Sequence, residues 1–333
     1  MKAKPIPGNN DLSKILIQWS LRQLSTLGYT LKHNQPETIQ NTPWSYVARF
    51  ATSDGTIYLK QTPELLALEA PITQILYNQF NAAVPTIIAY NPELHCFLMK
   101  DAGQPLRAVL KQQFDERLLS KAIEKFTSIQ LTVVDHIEVF LELGVPDWRL
   151  NKLPDLFKQL LNQKKFLMAD GLSETELVEL ESLLPTLTNY CKKLSNYAIK
   201  ETLVQCDFHD NNILIAESSQ AITFIDLGEI VISHPFFSLV GCLRQAKRHH
   251  GLTEQDVEYQ QLMSACFENF IPFESEQYLL KAFGIAQTLW FAYESLAQQR
   301  LFNACNKSDF ISYQRHGKLR DSLKGFITAC QKY

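Results

Sequence analysis

The chain reads as an α+β protein in two lobes, a small N-terminal lobe that contains a sheet and a larger, mainly helical C-terminal lobe. Three observations predict this. Over roughly the first 100 residues, short apolar and β-branched runs alternate with turn signals. After Gly103-Gln104-Pro105 those runs fade, and helical periodicities occupy most of 105–200 and 235–333. A pair of short strands around a polar turn interrupts the helices at 213–225. The boundary falls near 102–104, giving lobes of residues 1–102 and 103–333.

Taken in order, Leu12, Ile15, Leu16 and Trp19 recur at helical spacing with Leu27 on the same face, so an amphipathic helix opens the chain and stops near Gly28. Residues 44–52 and 56–61 form strands split by the hairpin signal Ser53-Asp54-Gly55, which puts Lys60 on a strand. A helix follows from about Pro71, a favoured first-turn residue, to Phe80. Residues 85–90 and 95–101 then pair through Asn91-Pro92. Farther on, Ile213-Leu214-Ile215 and Thr223-Phe224-Ile225 flank Glu217-Ser218-Ser219-Gln220, the pattern of an antiparallel hairpin. The chain has no internal repeat, low-complexity tract or long linker.

Composition narrows the function. A chain of 333 residues is long enough for two domains with a real core. A net charge of -3, with both signs scattered, offers no basic field for nucleic acid and no acidic tail, so the expected partner is a small molecule. Seven cysteines without a CxxC pair fit reduced thiols in a cytoplasmic protein. The first ten residues lack an apolar signal region, and no stretch approaches the ~18 apolar residues of a membrane span. A soluble, unexported protein is expected.

The chemistry concentrates in QCDFHDNN, residues 205–212, and in the segment from Ile225 to Glu229. Asn212 precedes the first limb of the hairpin and Asp226 follows the second, so closing the hairpin carries an amide oxygen and a carboxylate to one end, beside Asp207. Such hard oxygens suit Mg²⁺, which takes one or two protein ligands and completes its shell with water and phosphate. Phosphoryl transfer needs an oriented hydroxyl and neutralised phosphate charge more than covalent help. Asp207 would orient the acceptor hydroxyl and take its proton late. Asn212 and Asp226 would hold the metal on the β and γ oxygens, and Lys60, about 150 residues upstream in a separate sheet, would face the α and β phosphates. Other nucleotide and hydrolase signatures, GxxxxGK[ST], GxGxxG after a strand, HExxH and GxSxG, are absent.

These residues resemble the aminoglycoside phosphotransferase family, the small-molecule branch of the protein-kinase-like fold. That family's catalytic loop commonly reads HGDxHxxN and its metal segment IDxGD or IDxGE, followed by His-Pro. Here they read QCDFHDNN, Ile225 to Glu229, and His234-Pro235. Trp44-Ser45-Tyr46-Val47 and Tyr58-Leu59-Lys60 look like its first lobe, and Phe97 to Gly103 like its hinge. The resemblance implies ATP and Mg²⁺ as cofactors, a hydroxyl on a small molecule as acceptor, and adenine lying against Met99, Lys100 and Ala102. It implies an acidic partner for Lys60, with Glu69 preferred over its rival Glu64. A non-glycine hairpin at 42–47 would cover the nucleotide. His209 and Glu229 are candidates for contact with the acceptor, although a structural role for the histidine is the default reading. Gln205 and Cys206 stand where the family has His-Gly, and Ser238 where many relatives carry aspartate. Two alternatives stay open: a kinase acting on a protein side chain, and a nucleotide-binding protein without catalysis.

Overall fold

The computed structural model describes residues 10–33, 35–305 and 315–331. The chain divides into two compact units, Met1–Gly103 with Leu301–Arg315, and Gln104–Arg300 with His316–Tyr333.

In the first unit, helix α1 (Asn10–Thr26) precedes strands β1 (Glu37–Thr42), β2 (Ser45–Thr52) and β3 (Gly55–Gln61), helix α2 (Glu69–Phe80), and strands β4 (Ile87–Asn91) and β5 (Cys96–Lys100). The strands form one antiparallel sheet in the order β1-β2-β3-β5-β4. Period-2 alternation sends Tyr46, Ala48, Phe50, Ile57 and Leu59 to one face, where they bury against Leu16 and Leu24 of α1. Lys60 falls one residue out of that phase and points to the opposite face.

Two details depart from the sequence reading. β1 is a strand that its polar sequence, ETIQNT, does not announce. It is mostly exposed and exists by edge pairing with β2, from Thr42↔Ser45 through Glu37↔Arg49 with a register shift between Thr38 and Gln40. The short non-glycine hairpin expected at 42–47 is therefore the tip of this longer one. α2 begins at Glu69, two residues before Pro71. Proline is tolerated there because the first-turn N–H groups have no partner within the helix anyway.

In the second unit, β6 (Gln104–Pro105) leads into α3 (Leu106–Leu110), and α4 (Glu116–Val133) packs on a helical layer. β7 (Thr202–Gln205) delivers the motif loop, β8 (Ile213–Ile215) and β9 (Ile222–Phe224) make the expected hairpin, and β10 (Ile230–Ser233) pairs antiparallel with β7. β6 adds to the free edge of β8. Phe236 lies at the centre of the core, with ring centroids 5.3 to 5.8 Å from Phe267, Phe270 and Phe283. Four segments then frame the site: the 206–212 loop, the helices Phe236–His250 and Glu276–Ala304, and the last helix, Lys318–Cys330. No helix among the described residues is long and apolar enough to cross a membrane.

Candidate active site

β7 is buried on both faces, so it fixes where the motif loop starts. Gln205, its last residue, is bound on four sides. Its backbone N–H donates to Ser238 Oγ at 2.9 Å, and Ser238 Oγ donates back to its carbonyl at 3.0 Å. Its side-chain Nε2 donates to the carbonyls of Ile225 at 2.9 Å and Asp226 at 3.1 Å. Gln205 thus ties the loop to the carboxylate segment, and Ser238 ties both to the following helix.

Asp226 adopts φ +66°, a left-handed conformation that costs a non-glycine residue roughly 1–2 kcal/mol. The Gln205 clamp and the Ile225 N–H bond to the Asn212 carbonyl, 3.0 Å, hold it there. The hairpin therefore does what its sequence predicts and brings Asn212 and Asp226 to one end.

Asp207 is half exposed, whereas its neighbours are buried. Asn212 Nδ2 donates to the Asp207 carbonyl at 2.9 Å and to its Oδ2 at 3.3 Å. That orients the amide so that its oxygen is the atom left for a cation. His209 Nδ1 accepts the Asn211 N–H at 3.2 Å, so Nε2 carries the proton and faces Asp207 Oδ1 at 3.1 Å. Phe208 anchors the loop from below, stacked on Phe126 with centroids 4.0 Å apart.

An amide oxygen and a carboxylate fit a hard divalent cation. No group of three His, Cys, Asp or Glu side chains suited to a metal occurs among the described residues. That suits an ion held by few protein oxygens with water and phosphate completing the shell, and it does not suit an all-protein cage.

Asp210, Arg107 and His250 were missed in the sequence. Asp210 is buried and accepts Arg107 Nε at 2.8 Å on Oδ1, with Arg107 Nη2 2.7 Å away as an ion-pair contact and His250 Nε2 at 2.7 Å on Oδ2. Burial pushes its carboxyl upward, but the hydrogen bonds from Arg107 and His250 outweigh this and hold it below the usual value. The partners come from α3 and from the helix Phe236–His250, 103 and 40 residues away. No local pattern announces them.

Cys206 is buried and accepts the Tyr293 hydroxyl at 3.0 Å. Burial, with Glu229 nearby, pushes the thiol well above its ordinary range, which makes it an inert thiol. Glu229 is half-buried in the turn after Asp226, and Arg300 braces that turn by donating to the carbonyls of Gly228 at 3.0 Å and Ile230 at 3.2 Å. Tyr293 is fully buried, so it belongs to the core, while Trp290 and Phe291 line a cavity of about 690 Å³ that Asp207 also borders.

In the first unit, Lys60 Nζ lies 2.8 Å from Oε1 and 2.7 Å from Oε2 of Glu69, both side chains being buried. The carboxylate beside Lys60 is thus that of Glu69. The Glu69 carbonyl also accepts the Thr73 hydroxyl at 2.7 Å. A buried ion pair adds little stability against an apolar pair of the same size, so stability alone does not account for it. Met99 and Lys100 end β5, where the Lys100 N–H bonds the Thr86 carbonyl at 3.0 Å. Ala102 lies just beyond, outside the sheet ladder.

Lys60, Glu69, Asp207, Asn212 and Asp226 all lie inside residues 38–266, which match the phosphotransferase enzyme family, APH. The chain belongs to that family. Solved structures repeat the fold of this phosphotransferase at low identity. An amicoumacin kinase in complex with AMP-PNP, Ca²⁺ and amicoumacin superposes with a TM-score of 0.60 at 12% identity, covering 93% of each chain. Choline kinase LicA from Streptococcus pneumoniae gives 0.57 at 12%, covering 93% of this chain and 99% of its own. The ethanolamine kinase of Plasmodium vivax gives 0.57 at 14%, covering 89% and 82%. At such identities the likeness is one of fold, and it bears out the kinase-like architecture expected from the sequence. No curated protein sequence matches the phosphotransferase.

Proposed function

We propose that this phosphotransferase moves the γ-phosphoryl group of ATP, with Mg²⁺, to a hydroxyl of a small molecule. The observation that carries this is the convergence of Asp207, Asn212 and Asp226 at one end of a hairpin, with each held by neighbours. Asp207 is the base. Its Oδ1 faces the His209 N–H and its Oδ2 the Asn212 amide, which fixes the carboxylate plane before the acceptor arrives. The acceptor hydroxyl donates to Asp207 and loses its proton late, as its oxygen bonds phosphorus. Mg²⁺, held by Asn212 and Asp226, would neutralise charge on the β and γ oxygens. Lys60, paired with Glu69, would supply positive charge to the α and β phosphates. Met99, Lys100 and Ala102 would supply backbone groups for the adenine. His209 acts through Asp207, since both its ring nitrogens are engaged in the loop, and Glu229 is the remaining candidate for acceptor contact.

Support for nucleotide and divalent metal comes from the amicoumacin kinase, whose structure contains AMP-PNP and Ca²⁺. Seven free cysteines support a reducing, cytoplasmic setting. The non-catalytic alternative drew on Gln205 and Cys206, and it weakens because Gln205 supplies the loop-to-carboxylate bonds that the site requires.

The test is the melting temperature of wild type and Asp226→Asn, each with and without ATP and Mg²⁺. A ligand that binds only the folded state raises it. A rise in wild type that is lost in the variant is expected, and no rise at millimolar nucleotide removes the proposal.

A further inference from the structure

The cavity beside Asp207 has room for a small metabolite, and the reading above makes it the acceptor site. Four cationic side chains line it: Arg244, Lys247, Arg248 and Lys318. Lys247 is paired with Glu254 at 2.7 Å. Arg248 and Lys318 have no ion-pair partner among the described residues, and Arg244 forms no ion pair there although it feels the charge of Glu294. Each lining carboxylate has a partner of its own, and Glu294 also acts on Arg244. Asp321 binds Arg320 at 2.7 Å, Glu294 accepts from Gln298 Nε2 at 2.6 Å, and Asp207 belongs to the loop.

Helix electrostatics do not account for this set. Arg248 is in the last turn of its helix, where a cation is favoured. Lys318 is the first residue of the last helix, the end at which a cation is disfavoured. Its charge there calls for another reason, and an incoming anion supplies one.

The aromatic lining points the same way. The Arg244 guanidinium carbon lies 4.6 Å from the Trp290 ring centroid and 4.7 Å from that of Phe291. Such a ring pair is the surface an ammonium ligand would seek, and here the protein's own guanidinium covers it. Phe291 is fixed in place. It packs so closely on Gly325 that a Cβ at that residue would lie 2.3 Å from the ring. Trp290 Nε1 is a buried N–H donor without an acceptor.

We propose that the acceptor carries an anionic oxygen group, a carboxylate or a phosphate, besides the hydroxyl that is phosphorylated, and that Arg244, Arg248 and Lys318 bind it. This rests on the phosphotransferase reading, and the experiment separates the two. With ADP and Mg²⁺ saturating, so that the nucleotide site is filled, calorimetry follows binding of methyl phosphate, glycerate and choline to wild type, Arg248→Gln and Lys318→Gln. One or both anions should bind wild type more tightly than choline does, and each substitution should weaken anion binding by about tenfold. The stronger of the two anions identifies the group. Choline binding more tightly than both anions, no probe binding at all, or anion binding unchanged in both variants overturns the proposal. The wild-type comparison decides even if a variant does not fold. If ADP and Mg²⁺ fail to raise the melting temperature of wild type, the phosphotransferase reading itself has failed. If they raise it and the anions do not bind, only this inference falls.

Discussion

Along the loop at 205–212 the polar side chains find partners close by or are clamped from two sides, whereas Arg244, Arg248 and Lys318, which line the same cavity from two helices, form no ion pair among the described residues. The contrast separates two jobs. Groups that handle the reacting atoms must be oriented before substrate arrives, so the fold satisfies and immobilises them. Groups that select the acceptor are left with bonding capacity for the acceptor to fill. The first region should therefore fail abruptly when altered, and the second by degrees.

The largest effect is expected at the base. Asp207→Asn keeps the shape and the bond to Asn212 but loses proton acceptance, so transfer should fall by roughly 10²–10⁴-fold while nucleotide still raises the melting temperature. A coupled assay of ADP release measures it, and near-normal turnover would break the distinction between the two regions at its root.

Next is the clamp under the loop. Asp210→Ala leaves Arg107 and His250 buried without their carboxylate, which should cost about 3–5 kcal/mol in urea unfolding and slow transfer through a displaced loop. A loss below about 1 kcal/mol would mean that the loop holds its shape unaided.

A third prediction concerns pH at His234, which lies two residues before the helix that carries Arg244. It is fully buried, and burial drives its pKa from 6.5 down to about 3. The unfolded chain therefore binds a proton that the folded chain refuses. Stability should fall as pH drops from about 6.5 toward 3, by about 3 kcal/mol at pH 4 from this residue alone. Urea titrations of wild type and His234→Gln between pH 7 and 4 check the sign. The variant should lose less stability over that range, and parallel curves would count against a buried neutral imidazole.

The smallest effect belongs to Cys206. Its thiol should resist alkylation at pH 7.5 in the folded protein, and Tyr293→Phe, which removes its one hydroxyl donor, should cost about 1 kcal/mol. Rapid labelling of Cys206 would show a reactive group in the loop.

Most of the core fold was legible because its signals are local. Alternation over residues 45–61 set both the strands and the face of Lys60, and two short apolar limbs around a polar turn set the hairpin that joins Asn212 to Asp226. β1 escaped because an exposed edge strand buries too little to need an apolar pattern. Arg107 and His250 escaped because their shared partner, Asp210, is distant from both in the chain. The role of Gln205 was open in the sequence, since an amide in place of histidine has no fixed partner until Ile225 and Asp226 are folded against it.

The sequence by itself determined the kinase-like architecture and, through motifs that resemble the family, the groups proposed to handle phosphate, because each motif is a short run whose strands and turns follow from local period and turn signals. Tertiary structure alone decided that Glu69 is the carboxylate beside Lys60, that Asp210 is clamped from both sides, and that Arg244 covers the aromatic pair of the cavity. Those outcomes depend on which side chains meet in space, and charge, burial and aromatic contact act through distance in the folded chain, whatever the separation along it.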